Sequence, residues 1–104
     1  MYIEYNDMEL EKFFNSLPTS IFDNELDGNV FYKKEYGDFM LSIFIYTYLL
    51  DINVFLEHKN NEIVSLIIKD AISIRTKNKI LEIISKTGKT RIIFDKGFKV
   101  YHNS

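Results

Sequence analysis

The sequence predicts a mostly β domain of the α+β class: an antiparallel β-sandwich or rolled meander sheet with one N-terminal helix. Three observations predict it. Residues 38–58 form a long run dense in β-branched and aromatic residues, without Gly, Pro, Lys or Arg. Turn-forming residues recur every eight to twelve positions through the second half. Only one segment, near the N-terminus, shows a clear helical period.

That segment comes first in the chain. Asn6 or Asp7 is the expected N-cap, with Glu9 and Glu11 where the positive end of the helix dipole favours acids. Leu10, Phe13, Phe14 and Leu17 fall at i, i+3, i+4 and i+7, one face of a helix over Met8–Ser16. Pro18 closes it, because the residue before a proline is pushed out of helical geometry. The stripe is expected to pack on a sheet.

Residues 19–29 read as an acidic connector. Asp27-Gly28 supplies turn chemistry. Asp23, Glu25 and Asp27 alternate as in a calcium loop, but Lys34 stands near the place where the twelfth-position glutamate would be needed, and no helices flank the segment. No metal is therefore expected.

Val30–Lys34 reads as a strand, and Tyr36-Gly37-Asp38 as a turn into the central run. Phe39, Leu41, Ile43 and Ile45 lie on one side of that run, with Met40, Phe44, Tyr46 and Tyr48 on the other. Two apolar sides predict a strand covered on both. A helix is the rival, but Ile43 to Tyr48 are poor helix formers in succession. One strand over all of residues 38–58 would span on the order of 70 Å at ~3.3 Å per residue, too long for a small domain. The run is expected to fold back near Tyr48–Asp51, pairing 38–47 with 52–58.

Lys59-Asn60-Asn61 turns the chain. Glu62–Ile68 reads as a strand, with a short helix as the rival. Ala71–Thr76 alternates Ile72 and Ile74 against Ser73 and Arg75, the pattern of a half-exposed strand. Ile80–Ser85 and Arg91–Phe94 flank a loop containing Gly88, which predicts a hairpin. Asp95-Lys96-Gly97 leads to a last strand, Phe98–His102. The expected core includes Phe13, Phe39, Leu41, Ile43, Ile45, Val54 and Ile92.

One domain over residues 1–104 suits the length, and an apolar fraction of 46% argues against disorder. The absence of cysteine excludes disulfides, thiolate zinc sites and a Cys nucleophile, and it fits a reducing cytoplasm. The first residues lack the basic and apolar regions of a signal peptide. No apolar run reaches membrane-spanning length. Net charge is only −2, but residues 1–51 carry ten acids against three bases, and residues 52–104 five acids against ten bases. Such asymmetry marks a charged interaction face, unless the two halves intermingle in the fold.

No catalytic constellation is visible. His58 and His102 have no helical partner at i+4, and the serines lie on strands without a nucleophile elbow. The four glycines are scattered singly, so there is no phosphate loop. Lys69, Arg75, Lys77, Lys79, Lys86, Lys89, Arg91, Lys96 and Lys99 could contact phosphates, with Phe94, Phe98 and Tyr101 for stacking. This is the alternative reading: a small nucleic-acid-binding β domain. Against it, the pI is acidic, and lysines on sheet edges also discourage aggregation.

In size, in the strand pattern from Gly37 to His102 and in its Ile/Lys/Asn-rich composition, the whole chain resembles the immunity proteins of bacterial toxin–immunity pairs, in particular those of contact-dependent growth inhibition systems. The resemblance implies a cytoplasmic protein that is not an enzyme, needs no cofactor or small-molecule substrate and does not act on a membrane. Its partner would be a cognate toxin domain, often a nuclease, neutralised by covering its active site or substrate-entry face. Nuclease clefts are basic, and an acidic patch opposite one gives fast, specific association. On that basis Asp23, Glu25, Asp27, Glu35 and Asp38 are the expected contacts, with Tyr32 and Tyr36 as aromatic anchors.

Overall fold

The computed structural model describes residues 1–22 and 27–103. One helix, α1 (Asp7–Phe14), precedes nine strands: β1 (Thr19–Ser20), β2 (Asn29–Tyr36), β3 (Phe39–Tyr46), β4 (Asp51–His58), β5 (Asn61–Ile68), β6 (Ala71–Lys77), β7 (Ile80–Ser85), β8 (Lys89–Phe94) and β9 (Phe98–Asn103). Strands β1 to β5 form one antiparallel sheet in chain order, and β6 to β9 a second. The predicted mostly antiparallel β architecture with one N-terminal helix is therefore the one observed.

The helix starts where its cap requires. Asn6 is extended, and its side-chain oxygen accepts hydrogen bonds from the N–H groups of Met8 (2.9 Å) and Glu9 (3.2 Å). It ends earlier than expected. Asn15 turns left-handed at φ +54°, and the N–H of Ser16 reaches back to the Glu11 carbonyl. Leu10, Phe13 and Phe14 are buried as the period predicts. Leu17, beyond that stop, is off the helical face and 74% exposed. The Phe14 ring stacks on Tyr32 of β2 at 5.2 Å, and the Thr76 hydroxyl of β6 donates to the Glu9 carbonyl. The helix thus bridges the two sheets.

The central run forms the expected hairpin, β3 with β4, with Phe39 opposite His58 and Tyr46 opposite Asp51. The turn closes with Leu50 at φ +61°. Inward-facing Leu41, Ile43, Ile45, Ile52 and Val54 are at most 1% exposed. They join Leu81, Ile83 and Ile92 of the second sheet in one apolar cluster. Phe39 is only half-buried, against the His58 ring at 4.5 Å.

The other side of the central strand departs from expectation. No described element covers it. Phe31, Phe44 and Phe55 of β2, β3 and β4 shield one another instead, with ring centroids 5.1 and 5.7 Å apart. Two further differences have local causes. Thr19–Ser20 pairs with β2 as a short strand within the connector. A register shift between Ala71 and Ser73 breaks the alternation of β6, so Ala71 and Ile74 are buried and Ile72 is 46% exposed.

The chain turns from one sheet to the other at Lys69–Asp70, with Asp70 at φ +54°. Chain order therefore becomes layer order. Residues 1–68 build the helix and the larger sheet, and carry twelve acids against four bases. Residues 69–104 contain the smaller sheet, with nine bases against three acids. The halves divided at residue 51 do intermingle, because β4 and β5 complete the sheet begun by β1 to β3; it is the division at residue 68 that coincides with a boundary between sheets and carries the charge asymmetry.

Candidate functional site

The acids expected to form one surface are spread along β2. Asp23 and Glu25 lie outside the described residues. Asp27 stands just before β2, where its carboxylate accepts a hydrogen bond from the Asn29 N–H at 2.9 Å. Glu35, near the far end of the strand, and Asp38, just beyond it, are both exposed. From Asn29 to Tyr36 the backbone advances roughly 23 Å at ~3.3 Å per residue, so Asp27 and the Glu35–Asp38 turn occupy opposite ends of the sheet. Tyr36 is 42% exposed, with its ring edge-on to Phe94 at 5.4 Å.

Tyr32 is a correction. It was expected as a surface anchor, but it is 1% exposed in the core. The inward face of β2 includes position 32, and the Phe14 ring lies over it. Its hydroxyl has no hydrogen-bond partner among the described residues. Burial pushes the phenol well above its ordinary range, with Asp7, Tyr5 and Glu11 adding to the effect.

The structure builds a different acidic end around Asp27. The N-terminal segment ties the two sheets together there. The Ile3 N–H donates to the Thr47 carbonyl, the Glu4 N–H to that of Ile72, and the Ile74 N–H to that of Glu4. The Tyr5 and Thr47 hydroxyls lie 2.8 Å apart. A hollow of about 340 Å³ opens between these groups, lined by Tyr2, Ile3, Glu4, Tyr5, Asp7 and Thr47. Tyr48, next in the turn, meets the Tyr2 ring edge-on at 6.5 Å and is 63% exposed. The Thr47 N–H donates to the Gly28 carbonyl, which brings Asp27 beside the same turn. Gly28 is required at that point. It sits at φ +73°, and a Cβ there would lie 2.9 Å from the Tyr48 ring.

Glu4, Asp7 and Asp27 take part in no ion pair among the described residues; the three pairs present are Lys69–Asp51, Lys79–Asp95 and Lys89–Glu82. Burial raises the Tyr5 phenol above its ordinary value, and the Asp7 charge adds to the rise. Together these groups offer unneutralised carboxylates beside exposed aromatic faces, a combination suited to lysine or arginine side chains. Sequence reasoning missed Tyr2, Glu4 and Tyr48. The signal available was Tyr48 itself, an aromatic residue at a turn.

A larger groove of about 720 Å³ runs between the N-terminal segment and β6–β8, with Glu4, Asn6 and Glu9 on one wall and Arg75, Lys77 and Arg91 on the other. Its charges are mixed, and neither histidine lines it. His58 packs on Phe39, and His102 Nδ1 lies 2.7 Å from the Thr90 hydroxyl. Among the described residues no three His, Asp or Glu side chains gather as a metal site, and no helix is long and apolar enough to cross a membrane.

The smaller sheet turns Arg75, Lys77, Lys89, Arg91 and Lys99 to its exposed side, with Tyr101 54% exposed among them. Phe94 and Phe98, which the sequence offered for stacking, are half-buried against each other at 5.1 Å and pack on the core.

No family model and no curated protein matches the chain. Among solved structures, it is similar to a chain of a contact-dependent growth inhibition toxin–immunity protein complex from Klebsiella pneumoniae 342. The match has a TM-score of 0.71 at 24% identity and covers 99% of this chain and 98% of that one. The two chains share one fold from end to end.

Proposed function

We propose that this chain is an immunity protein that binds and neutralises a cognate toxin domain. The observation that carries the reading is the end-to-end likeness of fold to a chain of a toxin–immunity complex. The chemistry of the site is consistent with it. Exposed carboxylates beside aromatic rings suit a basic partner, and Glu4, Asp7 and Asp27 near Tyr2 and Tyr48 offer that combination. Asp23 and Glu25 belong to the same connector in the sequence and are the natural extension of that contact. Glu35, Tyr36 and Asp38, at the other end of β2, would form a second and separate patch.

An acidic surface fits a basic partner, and a nuclease domain has a basic substrate cleft. The chain would cover that cleft in the cytoplasm, without catalysis of its own. Co-expression tests the reading. The chain is expected to rescue growth of cells expressing the toxin domain encoded beside it, and to co-purify with that domain. Growth arrest despite full expression of both would contradict it.

The basic side of the smaller sheet supports a second reading, direct binding of nucleic acid. That reading predicts micromolar or tighter retention of single-stranded RNA or DNA with a steep salt dependence.

A further inference from the structure

We infer that the groove between the N-terminal segment and the smaller sheet sets which basic partner is accepted: Arg75 and Arg91 hold a carboxylate of the toxin domain, beside a lysine or arginine held by Glu4 and Glu9. The inference rests on the toxin reading and names the chemistry the partner must present. The groove lies on the outer side of the smaller sheet. There the Glu4–Ser73 bridge adds the N-terminal segment to the sheet as a parallel neighbour of β6. Arg75 of β6 is opposite Glu82 of β7, and Glu82 is opposite Arg91 of β8. Such a row would ordinarily neutralise itself. Here Glu82 is ion-paired with Lys89 at 3.7 Å instead. Arg75, Lys77 and Arg91 take part in no ion pair among the described residues, and neither do Glu4 and Glu9 on the facing wall. These unpaired side chains are all exposed, and they line one cavity of about 720 Å³.

Glu4 and Tyr5 line this groove and the tyrosine-edged hollow alike. A partner seated on the hollow therefore lies against the groove as well. Carboxylates alone attract any basic domain, because charge of one sign acts mainly on the rate of encounter. Discrimination needs a group of the opposite sign that repels the wrong partner. Arg75 and Arg91 are such groups. They repel a uniformly basic surface and hold one that carries an Asp or Glu among its bases, through forked donors matched to a carboxylate. Neighbouring strands lie ~4.8 Å apart, so Arg75 stands about 5 Å from the N-terminal segment and Arg91 about 14 Å. Alternate residues of a strand, about 6–7 Å apart, can present a base and an acid across that gap. Glu4, Glu9 and Glu82 in the same cavity disfavour a run of phosphates, whose charges share one sign.

The test follows binding and release of the toxin domain that the full chain is proposed to neutralise, by surface plasmon resonance. Arg75→Glu with Arg91→Glu should speed dissociation about tenfold or more and leave association within about twofold. The unfolding midpoint should stay nearly unchanged, because both side chains are exposed. Arg75→Gln, which removes the charge without reversing it, should speed dissociation by a smaller factor. Lys96→Glu with Lys99→Glu makes the same change of charge away from the groove and should alter dissociation less than twofold. When the toxin's acids are reversed to lysine one at a time, one change should weaken binding to the wild-type chain and be rescued by Arg75→Glu. If toxin capture depends on Glu4 but the arginine changes leave dissociation within twofold, this proposal fails and the toxin reading stands. If the wild-type chain captures no toxin domain, the toxin reading fails and this proposal with it. Tight RNA binding lost in the arginine variants, with toxin release unchanged, would also overturn it and give the groove to nucleic acid.

Discussion

The layer built from residues 1–68 and the layer built from residues 71–103 present similar faces to each other and opposite faces to solvent. Both line the core with fully buried aliphatic side chains: Ile43, Ile45 and Val54 on one side, Leu81, Ile83 and Ile92 on the other. Outside, the first layer carries an aromatic ladder and an acidic, tyrosine-lined end; the second carries arginines and lysines. The difference follows from topology. A meander that completes one sheet before starting the next keeps sequence neighbours in one layer, so a charge bias along the chain becomes a charge bias across the molecule. The inner faces share one apolar cluster, while the outer faces differ in charge and in exposed aromatic rings.

The largest expected effect tests the shared core. Ile43→Ala and Ile92→Ala, one in each layer, should each cost about 3–4 kcal/mol, read by urea denaturation as a single transition at a lower midpoint. Two separate transitions would show that the layers fold independently and that the comparison of inner faces is wrong.

A second pair of changes compares the two ends of β2. Gly28→Ala must adopt φ +73° and push Tyr48 or Thr47 aside; Gly37→Ala, at φ +60°, meets nothing within 4 Å. The first should cost about 2–3 kcal/mol and the second about 1 kcal/mol. Gly28→Ala should also slow toxin binding, because it displaces the Tyr48 turn, while Gly37→Ala should not. Equal losses of stability would mean that the close approach at Gly28 is relieved by a small shift of the turn.

Smaller still is the effect expected at Tyr32. Its buried hydroxyl lacks a protein partner, so Tyr32→Phe keeps the ring on Phe14 and removes only a desolvated polar group. Thermal unfolding should move by less than about 1 kcal/mol, toward greater stability. A loss of 2 kcal/mol or more would show that the hydroxyl contributes to the fold after all.

Sequence pattern revealed most of the architecture, because local physics decides it. The N-cap and period of α1, the central hairpin and the strands that make up the second sheet follow from turn residues and alternation. The failures share a cause: each depends on what lies across space. Leu17 falls off the helix because Asn15 adopts a left-handed conformation. Ile72 faces solvent because a bulge shifts the register of β6. Tyr32 is core because Phe14, eighteen residues earlier, stacks on it. The candidate site was legible only in sign. An acidic first half was plain, but pairing places Asp27 with Tyr48 and the N-terminal segment rather than with Glu35 and Asp38, and no periodicity in the chain encodes that meeting.

The central claim is that the acidic, tyrosine-lined end of the first layer meets a basic toxin domain. The most direct measurement is the association rate of the purified chain with the toxin domain it is proposed to neutralise, by stopped flow from 0.05 to 0.5 M salt. The wild-type rate should fall with salt, as the Debye length shrinks from roughly 14 Å to about 4 Å. Glu4→Lys with Asp27→Lys should slow association about tenfold or more at low salt, leave the unfolding midpoint nearly unchanged and flatten the salt dependence. Lys89→Glu with Arg91→Glu, on the opposite layer, should change the rate less than twofold. If the changes on the basic layer slow association and those at the acidic end do not, the toxin binds the other layer and the account is contradicted.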